Sequence, residues 1–241
     1  MSPRHRAVSA LLAAMLCWLA QYGSSQAVAA QVAPLFQASI SAAWAMLLLW
    51  LWSRWRGIAL FAQGVSLPTA LWGGMLFTLQ WGCLYLAVDR QALWRVAVDF
   101  ALLALLALTL GRRKRTPLWL LGALGALLLG LWSWRDGQGG AWLLTLVAAG
   151  SFALGLRQTG CAHIAPQDLM RWRFYQLCVA ALLLPLMAVA FSPSWNFLPG
   201  GRALLAMLLQ AVCGGMGFAF FLAQSAARHA QAAAAFTTPR E

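Results

Sequence analysis

The chain has 241 residues, of which 62% are hydrophobic and 9% charged, with a net charge of +12. Ordinary globular chains carry about 45–50% apolar and about 25% charged residues, so this composition excludes a soluble domain and indicates an integral membrane protein with several spans. The cations fall between apolar runs, where basic loops set orientation, and that placement excludes nucleic acid as the natural partner of the charge.

At the N-terminus, Arg4-His5-Arg6, an apolar run from Ala7, and Ala27-Val28-Ala29 imitate a secretory signal with its cleavage site. The run nevertheless continues for about 25 residues, enough to cross a hydrocarbon core of ~30 Å. It also contains Gln21 and Tyr22, and another span follows at once, so an uncleaved first helix is expected. Apolar runs of crossing length then follow over 8–31, 35–53, 68–88, 92–111, 117–134, 141–160, 170–191 and 202–224. Between them stand Ser53-Arg54-Trp55-Arg56-Gly57, Gly111 to Pro117 with its four basic residues, Arg135-Asp136-Gly137, and Ser192-Pro193 onward; the first two runs are parted by Pro34 alone. Lipid forces the backbone to satisfy itself within each segment, and the alternating pattern of a membrane β-barrel is absent. The expected fold is an all-α membrane bundle of about eight transmembrane helices in contact with the lipid bilayer.

With the N-terminus inside, the inner segments hold Arg4, Arg6, Arg54, Arg56, Arg112, Arg113, Lys114, Arg115, Arg157, Arg171, Arg173, Arg228 and Arg240. The outer segments hold Arg90, Arg95, Arg135 and Arg202. That asymmetry places both ends of the chain in the cytoplasm and the protein in the inner or plasma membrane. Of the 14 tryptophans, Trp50, Trp52, Trp55, Trp119, Trp132, Trp134 and Trp195 lie near run ends and read as interfacial anchors. Small residues recur every fourth position at Gly74-Thr78-Gly82, Gly122-Ala126-Gly130 and Ala211-Gly215-Ala219. Such faces let helices pack closely, inside the bundle or in a homodimer. The five cysteines, Cys17, Cys83, Cys161, Cys178 and Cys213, are scattered, with no metal-ligand or disulfide spacing.

The chain also repeats itself. Gly73-Gly74-Met75-Leu76-Phe77 returns 141 positions later as Gly214-Gly215-Met216-Gly217-Phe218, and Ala33-Pro34 returns as Ala165-Pro166. An apolar chain that repeats at half its length is the mark of a transporter built from two structural repeats. The first repeat covers 1–134 and the second, shorter one 141–241.

At this point the chain resembles the drug/metabolite transporter superfamily in its EamA-type branch. Trp18 and Pro34 match that family's first helix with its central Trp and the Pro opening the second helix. The stretch from Leu79 to Arg90 is similar to the end of its third helix, Ala226-Ala227-Arg228-His229 echoes it in the second half, and Arg173 corresponds to an arginine after the second-repeat proline. The resemblance implies ten helices in two inverted five-helix repeats. Here the fourth helix has Ala104 in place of a mid-helix Pro and Gly111-Arg112-Arg113 in place of Gly-Glu-Arg. The second repeat stops in its fourth helix. Residues 226–241 are expected at the cytoplasmic surface, because a charged end is costly at mid-bilayer.

Among candidate site residues Asp99 stands out, since an acid about 10 Å into a span costs on the order of 2.5–3.5 kcal/mol unless it faces a cavity or a partner. Arg95 lies one turn earlier on the same face. The pair is either a substrate or proton site, with Asp99 as acceptor and Arg95 as its partner or an anion contact, or a structural ion pair with Arg95 snorkelling outward. Trp18, Gln21 and Tyr22 on the first helix, Gln80 and Tyr85 on the third, Arg173, Tyr175 and Gln176 on the seventh and Gln210 on the eighth are the further substrate-binding candidates. Singly each amide is helix–helix glue, but together they suit a cavity at a repeat interface. His163 and His229 fall in inner loops and read as solvated. No Gly-x-Ser-x-Gly, His-Glu-x-x-His or phosphate-binding loop occurs, so no enzyme, metal or cofactor is expected, and transport would be driven by a gradient. The expected function is a secondary transporter, an exporter of small-molecule metabolites or drug-like substrates. The alternative is a non-transporting membrane subunit or decayed paralogue.

Overall fold

The computed structural model describes residues 3–61, 67–109, 117–158, 166–192, 196–217 and 220. These form eight helices: α1 Pro3–Val28, α2 Pro34–Trp55, α3 Leu67–Arg90, α4 Leu93–Thr109, α5 Pro117–Arg135, α6 Gly139–Gln158, α7 Pro166–Phe191 and α8 Gly201–Gln210. The axis of α8 continues as π-helical turns over Ala211–Gly217. Each expected span overlaps one of these helices, the last of them, over 202–224, only as far as the described residues run. Among the described residues there is no strand; one isolated antiparallel bridge joins Val32 to Phe197.

The breaks have local causes. Pro34, Pro117 and Pro166 each open a helix, where a missing N–H costs nothing. Gly57 and Gly137 close α2 and α5 with φ of 66° and 73°. At the first, Gly57 N donates to Arg54 O and Ile58 N to Ser53 O; at the second, Gly137 N donates to Trp134 O and Gln138 N to Ser133 O. Both are Schellman ends, which need the left-handed conformation that glycine takes without strain.

Among the described residues, five helices are long and apolar enough to cross a membrane: Val8–Val28, Pro34–Trp55, Pro68–Arg90, Gly139–Arg157 and Met170–Phe191. Their outward sides carry Leu12, Leu16, Leu51, Leu154, Leu182 and Leu186, all exposed. Apolar surface on that scale requires a lipid covering, so the chain is a multi-pass membrane protein. The cysteines among the described residues, Cys17, Cys83, Cys178 and Cys213, are free thiols.

The central helix is α3, whose apolar window is 78% buried against 44% or less for the other four. It packs on α6 and α7, α2 packs on α7, and α8 packs on α1 and α2; α4 leans on α5 and α6. Successive helices alternate in direction. A Cβ at Gly74 would lie 2.5 Å from Val179 Cβ and one at Gly82 3.1 Å from Met187 Cε, so α3 and α7 run parallel. Gly214 meets Gln21 while Gly217 meets Cys17, so the chain after α8 runs antiparallel to α1. The small-residue face of α3 is thus turned to a neighbouring helix, with Thr78 Oγ1 bonded back to Gly74 O at 2.8 Å. On α5, Gly130 lies against Trp142 of α6 and Ala126 is buried. The surroundings of Gly122 and Ala219, the basic run from Gly111 to Thr116, Cys161, His163 and everything from 221 onward lie outside the described residues.

Candidate functional site

The polar side chains of α1, α2, α3, α7 and α8 meet inside the bundle, because close helix packing leaves them no route to solvent. Gln210, fully buried, is the hub of one group. Its Oε1 accepts from Ser41 Oγ at 2.8 Å and Tyr85 Oη at 3.0 Å, and its Nε2 donates to Gln37 Oε1 at 3.1 Å. Gln37 Nε2 donates in turn to Val32 O at 2.7 Å. Gln210 and Tyr85 are therefore engaged in tying α2, α3 and α8 together. Gln37 and Ser41, four residues apart on an otherwise apolar helix, escaped the sequence reading although that spacing puts both on one face.

The second group centres on Arg173, only 8% exposed. Its Nε donates to Gly215 O at 2.8 Å, its Nη2 to Gly214 O at 2.7 Å and its Nη1 to Gln176 Oε1 at 3.2 Å. Its guanidinium carbon lies 3.9 Å from the centre of the Phe77 ring. Both carbonyls lie in the π-helical segment Ala211–Gly217, whose i→i+5 pattern departs from the α-helical ladder, and they accept from the Arg173 side chain. Gly214 and Gly215 also lack the Cβ that would strike the Gln21 amide and Ala45. The repeated Gly-Gly pair was visible in the sequence, but its role as acceptor was not.

An aromatic chain links this group to α4. Phe77 meets Trp81 at 4.8 Å, Trp81 meets Tyr85 at 6.1 Å, Tyr85 meets Tyr22 at 5.2 Å, Tyr22 meets Trp18 at 4.7 Å and Trp18 meets Phe100 at 6.0 Å. Of these, Phe77, Trp81 and Phe100 were not anticipated. Gln80 is buried on α3. Tyr175 is half-buried and belongs to a separate set with Phe61 and Phe174.

The Arg95–Asp99 pairing is corrected by the structure. Arg95 turns to the end of α5, where Nη1 donates to Asp136 Oδ2 and Nη2 to Ser133 Oγ, both at 3.1 Å, with its guanidinium over Trp132. A long side chain near a helix end reaches for the water-facing acid, as snorkelling requires. Asp99 stays 1% exposed, and neither carboxyl oxygen has a hydrogen-bond partner. Trp18 Nε1 and Gln21 Nε2 are likewise buried without partners. Among the described residues no three His, Cys, Asp or Glu side chains gather as metal ligands. The open groove between Trp72, Met75 and Leu79 of α3 and Leu183 and Leu186 of α7 is apolar and offers no polar handle.

Comparison of the chain with protein-family models, with curated proteins and with solved structures gives no match.

Proposed function

We propose that the chain is a secondary transporter of small metabolites or drug-like compounds, an exporter of the EamA-like kind in the inner or plasma membrane, with α4, α5 and α8 crossing beside the five longer spans. The observation that carries this reading is the exchange of partners between its halves. If α1 to α3 correspond to α6 to α8, the packing of α3 on α6 and α7 corresponds to that of α8 on α1 and α2, and α2 against α7 is its own counterpart. The motif-matched glycines obey the same exchange: Gly74 of α3 faces α7, and Gly215 after α8 faces Ala45 of α2. An inverted repeat that packs this way has two equivalent arrangements, and alternating access is the movement between them. The buried unpartnered groups near its centre, Trp18, Gln21 and Asp99, supply polar contacts for a substrate or proton.

The test is release from liposomes. Vesicles holding the purified chain and loaded with a small-molecule cell extract should release at least one compound faster than protein-free vesicles, as read by mass spectrometry of the medium. No accelerated release leaves the non-transporting membrane subunit as the better reading.

Orientation gives a second expected result. Arg54, Arg56 and Arg171 lie at one end of the bundle, where Arg171 Nε donates to Ala59 O at 2.9 Å, and Asp136 lies at the other. A reporter fused after Arg115 should behave as cytoplasmic and one fused after Asp136 as external. The opposite pattern would turn the assignment over.

A further inference from the structure

A surplus of buried hydrogen-bond donors gathers where α1, α7 and the π turns meet. Arg173 brings a positive charge whose three bonds all go to neutral acceptors, and none of the described carboxylates reaches it. Guanidinium has five N–H groups in a planar fork, so its capacity exceeds these bonds. The amide of Gln21 lies on Gly214, whose carbonyl accepts from Arg173, and Gln21 Nε2 is buried near the Tyr85 hydroxyl without a well-formed hydrogen bond. One turn earlier on the same face of α1, Trp18 Nε1 is also buried and unpartnered. Tyr22 packs on Trp18 at 4.7 Å and on Tyr85 at 5.2 Å.

The unmet groups that α1 contributes are donors, the unmet acceptor Asp99 belonging to α4, and a buried cation without a counter-charge is costly. What the set lacks is an oxygen carrying negative charge. Charge-assisted bonds from a guanidinium to an oxyanion are roughly twice as strong as neutral ones. The walls are aromatic: Phe77 beneath Arg173, with Trp18, Tyr22 and Tyr85 beyond it.

We infer that Arg173, Gln21 and Trp18 form a binding site for the oxyanion of a small organic anion, a carboxylate beside an apolar or aromatic body. The route in rests on the transport reading, because α1 and the π turns must part to admit a ligand; the chemistry of the site does not.

The test uses the full chain in a neutral detergent at constant ionic strength, with thermal unfolding followed by tryptophan fluorescence. Sodium benzoate should raise the midpoint in a saturable way, and benzamide, its neutral counterpart, should not. Gln21→Leu and Trp18→Phe each delete an unpaired donor, so the fold is retained, and each should weaken benzoate roughly tenfold. Arg173→Gln should abolish the shift; because Arg173 also holds the π turns, the two α1 variants keep the test decisive if that protein does not fold. Equal protection by benzamide, or undiminished protection in both α1 variants, would overturn the site. Blocking of the benzoate shift by phosphatidylglycerol but not phosphatidylcholine would uphold an oxyanion site and assign its occupant to a lipid headgroup. Benzoate binding without metabolite release from liposomes sinks the transport reading alone, and release without a benzoate–benzamide difference sinks this site alone.

Discussion

Replacing Asp99 by leucine is expected to raise the unfolding midpoint of the purified protein while reducing metabolite release from liposomes to the level of empty vesicles. The carboxyl is 1% exposed and neither oxygen is bonded, so it is a group the fold tolerates rather than uses. Removing an unsatisfied buried polar group gains about 1–3 kcal/mol, and an acid inside a span costs on the order of 2.5–3.5 kcal/mol on insertion scales. A structural ion pair with Arg95 predicts the opposite sign, because Arg95 would be stranded. Arg95 is held instead by Asp136 and Ser133 near the end of α5, and Arg95→Leu should cost no more than about 1 kcal/mol, as for other partly exposed pairs. A fall in stability for Asp99→Leu would show that Asp99 has a partner. A rise with release unchanged would remove it from the transport pathway.

Gly74→Ala and Gly215→Ala should each destabilise the protein by about 1–3 kcal/mol, the usual cost of overpacking a close contact. The new methyl at Gly74 would sit 2.5 Å from Val179 Cβ, and the one at Gly215 would overlap Ala45 Cβ. Gly150→Ala on α6 is the control: nothing lies within 4 Å of its added methyl, so better helix propensity should make it neutral or stabilising by up to about 1 kcal/mol. Adding Val179→Ala to Gly74→Ala should recover part of the loss, since it removes two of the three atoms nearest the new methyl. Comparable yields and unfolding midpoints for all three single variants would mean that neither glycine contact holds helices together.

The positions of the described helices were legible in the sequence. The run read over 117–134 forms the helix Pro117–Arg135, and the run over 68–88 forms Leu67–Arg90. Bilayer thickness sets the length of an apolar run, and prolines, Schellman glycines and basic clusters mark its ends, all of them properties of one segment at a time. The small-residue face of α3 was legible for the same reason, since a four-residue spacing is a property of one helix. What each polar residue bonds was not legible. Asp136, not Asp99, takes Arg95, and Gln210 joins Ser41 and Gln37 from 169 and 173 residues away. Arg173, counted among the inner-segment charges and among the substrate-binding candidates, is buried on the carbonyls of Gly214 and Gly215. Those choices follow from which helices approach closely and from where α8 widens into π turns at Ala211–Gly217. Both depend on side chains meeting across helices, which spacing along one chain does not encode.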